Sequence, residues 1–288
     1  MPRLLPLLCC LLVSIGASAR DLPEIRADGV LRHLGIPYAN FVTGAGGGLD
    51  LEVIEGFAQF LGLEYAFVPS TWATVFGDLT GRNAARSDDG VAWLGEAQVR
   101  GDLIASGMTM LDWRRQVVDF GIPTFPTGVW LVARADSTMS PIRPTGRLQS
   151  DIQQVRTLLP GRTLLAVPNT CLDPQLYRMS ATGADIRLQP PERKLNELVP
   201  AILNADAEAT MLDVPDALIA LERWPGRIKV IGPISGRQFM APAFPKDAPR
   251  LREAFNAYFA DLKLSGRYRE MVREYYPAVF RYYGDFFE

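Results

Sequence analysis

The sequence predicts an α/β protein built as two α/β lobes joined by hinge strands. Three observations carry that expectation. Short apolar runs of strand length alternate with stretches of helical periodicity along most of the chain, the pattern of helices packed on mostly parallel sheets. A break at 136–160, rich in Pro, Ser and Arg, separates two such series. Residues 239–244 then read as a strand leading back to the first series. One lobe therefore interrupts the other, and the junction forms a cleft, the usual place for a small ligand.

The elements follow in order. Residues 29–36 form a short strand, and a glycine-rich turn spans 43–48. Residues 50–61 carry Leu51, Ile54, Phe57, Ala58 and Leu61 at helical spacing, with Gly62 placed to stop the helix. Strands are expected at 65–68 and 101–105. The polar stretch 77–100 between them reads as a surface loop carrying a short helix. Val117 and Val118 lead into Phe120 and a proline-bearing loop, and 128–133 is a strongly apolar strand. The second series has strands at 162–167, 186–188, 209–212 and 228–231. Its helices are expected at 171–179, 194–203 and 214–222. The chain ends in helices at 248–264 and 266–276. The resulting division is a leader at 1–19, a first lobe at 20–133, a second lobe at 134–236, and a return to the first lobe at 237–288.

Composition narrows the function. The 288 residues are 48% hydrophobic, enough for a substantial core. Thirty Lys and Arg against 32 Asp and Glu give a net charge of −2, without the basic stripe that a nucleic-acid partner calls for. Arg3, the apolar run 4–13 and Ala17-Ser18-Ala19 have the order of a secretory signal cleaved after Ala19, which places the mature chain in the periplasm. The run is too short for a membrane span of about 20 residues. Cys9 and Cys10 leave with the signal, so Cys171 remains as a single thiol without an internal disulfide partner. His33, the sole histidine, lies in a predicted strand and reads as structural. One His and one mature Cys leave little material for a zinc site or a Ser-His-Asp or Cys-His mechanism. No metal and no cofactor are expected.

The block Gly101-Asp102-Leu103-Ile104-Ala105-Ser106-Gly107-Met108-Thr109-Met110-Leu111-Asp112-Trp113-Arg114 continues as Val117-Val118-Asp119-Phe120 and Ile122-Pro123. It resembles the central motif of the amino-acid-type periplasmic solute-binding proteins of ABC importers (bacterial extracellular solute-binding proteins, family 3). Leu111 stands where a second Thr is usual, Gly121 where Ser is usual, and Thr124 where Tyr is usual. Tyr38-Ala39-Asn40-Phe41, Gly48-Leu49-Asp50-Leu51, Glu208-Ala209 with Asp213, and the terminal Ser265-Gly266 and Tyr275-Tyr276-Pro277 also match in order, so the resemblance covers nearly all of the mature chain. It departs at Asn169-Thr170, where Gly-Thr is usual, and in the longer 77–100 stretch.

The resemblance implies a type II periplasmic-binding-protein fold and a receptor, not an enzyme. Such a receptor closes on an amino acid or similar zwitterion and delivers it, as a monomer, to ABC-importer permease subunits. It implies that Arg114 grips the ligand carboxylate through paired hydrogen bonds, with Thr109 beside it and Gly107 allowing close backbone approach. Asn169 and Thr170 would form a turn opening a helix, with Thr170 as its cap. Asp213 would meet the ligand ammonium, and Tyr38 and Trp72 would clamp its faces. Each residue also has a plainer reading: a surface ion pair for Arg114, a helix cap for Thr170 and Asp213, core packing for the aromatics. Cys171 is either a small structural residue or a thiol activated by the expected helix start. Two other functions share the scaffold. One is a cyclohexadienyl dehydratase-like enzyme, for which Asp213 and Glu52 are the candidate acids. The other is a solute-sensing module, as in some lytic transglycosylases.

Overall fold

The computed structural model describes residues 19–190 and 195–288. The leader expected at 1–19 lies outside these residues except for Ala19, as does Lys194, the first residue of one expected helix. No helix among the described residues is long and apolar enough to cross a membrane.

The chain opens with α1 (Leu22–Asp28), which sequence periodicity did not signal. The Asp21 carboxylate accepts the Leu22 N–H, and Gly29 closes the helix in the left-handed conformation. Next come β1 (Val30–Gly35), α2 (Leu49–Leu61), β2 (Glu64–Pro69) and α3 (Val75–Thr80). Gly62 ends α2 at φ 71°, as its position predicts. The 77–100 stretch is not a loop. After α3 it forms a β-hairpin, β3 (Arg82–Ser87) and β4 (Gly90–Glu96), closed by Asp88-Asp89 with Gly90 at φ 119°. Then follow β5 (Leu103–Ile104), α4 (Asp112–Val117), β6 (Asp119–Phe120), β7 (Phe125–Thr127) and β8 (Val129–Arg134).

The polar break holds a helix, α5 (Leu148–Thr157), which buries Ile152 and Val155. Beyond it lie β9 (Thr163–Ala166), β10 (Asp185–Leu188), α6 (Leu198–Leu203), β11 (Ala209–Asp213), α7 (Val214–Arg223) and β12 (Ile228–Pro233). The expected helix at 171–179 is instead two short 3₁₀ turns, Pro174–Tyr177 and Met179–Thr182, separated by Arg178 at φ 50°. The return consists of β13 (Gln238–Met240), β14 (Ala243–Phe244), α8 (Pro249–Leu264), α9 (Arg267–Tyr275) and α10 (Phe280–Tyr283).

These elements build two five-stranded sheets, ordered β2-β1-β5-β14-β6 and β10-β9-β11-β8-β12. In each, four strands run in one direction and one, β14 in the first sheet and β8 in the second, runs against them. Each reversed strand makes two antiparallel pairs, β14 with β5 and β6 and β8 with β11 and β12, so the sheets are mostly but not wholly parallel. The exceptions flank the crossings: β8 and β14 are the first strands the chain lays down after each passage between lobes. The passages themselves pair, β7 against β13, antiparallel. β8, placed by the sequence in the first lobe, pairs with β11 and β12 at the centre of the second sheet and buries Val129, Leu131, Val132 and Ala133 there.

The C-terminal segment lies along this crossing. Arg237 pairs with Asp285 through two hydrogen bonds of 2.8 and 3.1 Å. Phe286 packs on Phe239, Phe287 on Phe125, and Tyr282 on Trp130 of β8.

His33 is core, as expected. Its ring bonds the Tyr65 hydroxyl at 2.8 Å and the Ala105 carbonyl at 2.7 Å, and burial lowers its pKa to about 4. The unfolded chain takes up a proton below about pH 6.5, which the folded protein refuses until about 4, so this contribution is lost as pH falls through that window. Asp50, which burial raises to about 7, has the opposite slope. The His33 effect is therefore isolated by comparison with His33→Gln. In chemical denaturation, lowering the pH from 7.5 to 5 should cost the parent protein about 2 kcal/mol more than the variant.

Candidate functional site

The C-terminal end of β1, the segment before α3, α4 and the start of α7 converge where the two lobes meet. Tyr38 follows β1 in a tight turn, its N–H bonded to the Val42 carbonyl at 3.0 Å. Its ring stacks on Phe41 and meets Trp72 edge-on, with centroids 6.1 and 5.8 Å apart. Its hydroxyl reaches across to the second lobe and donates a short hydrogen bond to Asp213. Asp213 ends β11 and caps α7, accepting the Asp216 N–H at 3.3 Å. The Cys171 thiol approaches the same carboxylate oxygen at 3.7 Å.

Arg114 lies in α4, within the first lobe, and is only 2% exposed. Its Nη1 donates to the Thr109 carbonyl at 3.0 Å, and the guanidinium lies 5.6 Å from the Trp72 ring centre. Its Nε is buried without a partner, as is the Thr109 hydroxyl. Thr109 is fixed by a bridge to Met240 of β13, so the crossing strand holds this wall in place. Tyr38, Trp72, Thr109, Arg114 and Asp213, assembled from separate sequence segments, thus share one site.

The remaining predicted residues support it indirectly. Asn169 takes the left-handed conformation at φ 60° and donates its N–H to Asp173 at 3.0 Å. This is how Asn substitutes for the expected Gly. The Thr170 hydroxyl donates to the Val167 carbonyl and accepts the Leu172 N–H, so it shapes a turn; no α-helix starts there for it to cap. Gly107 is also constrained by the core. At φ 60°, a Cβ would come within 2.5 Å of the Phe41 ring, and the Gly107 N–H donates to buried Asp50 at 2.6 Å.

Electrostatics follow from burial. Desolvation raises Asp213, against the lowering effect of the Tyr38 hydroxyl and the Asp216 N–H. It also raises Tyr38, as do the neighbouring carboxylates. Arg114 is lowered by burial and held up partly by Cys171, Tyr177, Tyr38 and Asp213. Burial and then Asp213 push the Cys171 thiol up, against the lowering effect of Arg114, which favours a structural residue over an activated thiol.

Three contributors had no sequence signal that singled them out. Asp173 organises the Asn169 turn and forms a 3.3 Å ion pair with Arg86 of the hairpin, across the lobes. The Tyr177 hydroxyl donates to the Cys171 carbonyl and accepts from Gln238 at 3.3 Å. Asp216 lies one turn into α7. Glu52, the other candidate acid, accepts from the Tyr275 hydroxyl and is not part of this group.

Comparison with known proteins fits this geometry. A membrane-bound lytic murein transglycosylase F from Desulfosudis oleivorans is 26% identical over 237 residues, covering 81% of this chain and 44% of that protein. The chain therefore spans less than half of that relative. A mutant of ArgBP from T. maritima superposes with a TM-score of 0.65 at 22% identity, covering 88% of this chain and 98% of that one. An ancestral amino-acid-binding protein, described as a precursor of cyclohexadienyl dehydratase, gives 0.67 at 20% identity, with the same coverage. At these identities the structural likeness is one of fold, the two-lobed type II periplasmic-binding-protein fold. A family model matches residues 93–278, well over half of the sequence, and the chain belongs to the bacterial extracellular solute-binding proteins, family 3.

Proposed function

We propose that this protein is an extracytoplasmic receptor that closes its two lobes on an amino acid or similar small zwitterion and delivers it to an ABC-type permease. One observation carries the reading. The site sets buried, incompletely used donors, the Arg114 Nε and the Thr109 hydroxyl, in the first lobe against a buried carboxylate, Asp213, in the second. A carboxylate at the first and an ammonium at the second would satisfy both. A ligand spanning them makes differential contacts in the closed arrangement and shifts the hinge equilibrium toward it. The family membership and amino-acid-binding structural relatives support the same reading, and the signal-like order of charge, apolar run and small residues at 1–19 supports a place outside the cytoplasm.

A thermal-shift screen of the purified protein against the common amino acids, dicarboxylates and polyamines tests it. A ligand at 100 times its dissociation constant should add about 2.7 kcal/mol and raise the melting temperature by a few degrees. A flat screen on folded protein would reject the amino-acid receptor. Prephenate and arogenate, read for turnover as well as binding, separate receptor from dehydratase. The likeness to a murein transglycosylase favours a second reading, the same lobes acting as a solute sensor within a larger assembly. Ligand-dependent uptake through a reconstituted permease would decide for transport.

A further inference from the structure

The β3–β4 hairpin stands off the first-lobe core, yet it touches the frame of the site at two places. At its turn, Gly90 lies so close to α4 that a Cβ there would come within 2.9 Å of the Gln116 amide oxygen, two residues beyond Arg114. From β3, Arg86 reaches the second lobe, where its Nε donates to the Asp173 Oδ2 at 3.3 Å. The Arg86 side chain is 14% exposed, and its other polar contacts, the Ser87 carbonyl at 3.4 Å and the Asp88 carboxylate at 3.9 Å, stay within the hairpin. Asp173 holds the turn that carries Asn169, Thr170 and Cys171. Its Oδ2 also accepts the Asn169 N–H at 3.0 Å, and its Oδ1 accepts the Gln175 N–H at 2.9 Å. Asn169 is left-handed at φ 60°, a costly conformation for any residue but glycine, so this carboxylate is what keeps the turn in shape. Beyond the turn, the Cys171 thiol meets Asp213, which Tyr38 engages from the first lobe. The lobes are thus joined on either side of one short turn. A cavity of about 390 Å³, lined by Asn169, Gln175 and Leu188 among others, borders the Arg86–Asp173 pair, so dissolved ions reach the pair and screen it.

We propose that the hairpin is a strap between the lobes and that Arg86 is a positioning residue: through Asp173 it fixes the 169–171 turn in the shape that forms the second-lobe wall of the closed site. Asp173 is 4% exposed, and a buried carboxylate that loses its cation is drawn toward water. Without Arg86 the carboxylate leaves the Asn169 N–H, the left-handed residue relaxes, and the turn loosens beside Asp213. The strap acts on closure and not on recognition, so it holds any bound solute longer without favouring one over another. This inference rests on the receptor reading for what closure serves, but its test needs no ligand.

The buried Cys171 thiol, 6% exposed, is a reporter on the turn itself. The folded protein is labelled with N-ethylmaleimide, an uncharged reagent, and the rate is read on the Cys171 peptide by mass spectrometry. At low salt, Arg86→Ala should label about five-fold faster than the parent or more, the scale of one partly buried ion pair. Raising the salt to about 1 M should bring the parent toward the variant's rate and leave the variant unchanged. Arg86→Lys, which keeps the charge without the planar fork, should fall between them. Arg82→Ala, on the same strand but stacked on Trp93, should label at the parent's rate. The proposal is overturned if Arg86→Ala labels like the parent, if it keeps the parent's salt dependence, or if Arg82→Ala speeds labelling equally, which would make the hairpin a structural element only. A flat amino-acid screen with this labelling pattern intact would reject the receptor reading and leave the strap. Amino-acid binding together with parent-rate labelling in Arg86→Ala would reject the strap alone.

Discussion

Replacing Arg114 with Met should abolish measurable ligand binding while leaving the protein, without added ligand, at least as stable as the parent. Both halves follow from the environment of one side chain. The guanidinium is desolvated, makes a single side-chain hydrogen bond among the described residues, and leaves its Nε without a partner. Burial lowers its pKa, the sign of a cation held at a cost. Exchanging it for an apolar group of similar length removes that desolvation cost, while Asp213 keeps the Tyr38 hydroxyl, the Cys171 thiol and the Asp216 N–H as partners. The thioether can rest on Trp72 and Trp113, whose rings the guanidinium now covers at 5.6 and 5.5 Å. A ligand carboxylate buried against Met would lose its counter-charge, a penalty of about 3–5 kcal/mol, or about two to nearly four decades in Kd. Calorimetric titration and chemical denaturation of the same preparation read the two effects. Loss of binding with a large loss of stability would instead make Arg114 a structural residue.

Phe41→Ala should cost about 3–5 kcal/mol, the range for emptying a fully buried aromatic position. Phe41 is wholly inaccessible. It packs edge-on against Phe125 of the crossing strand β7 at 5.1 Å, lies 5.0 Å from Tyr276, and stacks beneath Tyr38. Gly107→Ala alone should also destabilise, because the new methyl would push into this ring from a left-handed backbone. In the double variant the steric part of that penalty disappears, and the total should fall short of the sum of the singles by about 1 kcal/mol or more. Urea denaturation of the four proteins in the cycle measures it. Strict additivity would show that the Gly107 requirement is one of backbone conformation only.

What could be read from the sequence, and what could not, divides along physical lines. Strands and helices that bury one face in a lobe core announced themselves. In α2, Ile54, Phe57 and Ala58 are buried at the spacing that predicts the helix, with Gly62 as its stop. The β3–β4 hairpin was missed because it stands off the core. Of its thirteen strand residues only Ala84 is buried, so no alternation of apolar residues marks the strands, and Asp89-Gly90 was left as the one turn signal. The helix α5 was hidden the same way, with few apolar residues among Gln, Ser and Arg. In the site, Arg114 and Asp213 were legible through the family's spacing. Asp216 was not, because an acid three residues after a capping Asp needs no explanation beyond the helix start. Its burial beside Asp213 is visible only once Tyr38, 175 residues before Asp213, is seen to fold against this helix start.

The C-terminal segment along the crossing has a mechanical consequence. Its contacts tie three parts together: Arg237 beside β13, Phe125 of β7, and Trp130 of β8. The bidentate Arg237–Asp285 pair is directional and resists sliding of one crossing strand past the other, whereas the ring contacts of Phe286 and Tyr282 tolerate small rotations without losing apolar contact. A joint fastened in this way gives up translation and keeps rotation. In the closure proposed above, the segment would act as a hinge pin, holding the lobes to an arc that brings Asp213 toward Tyr38 in the same register each time.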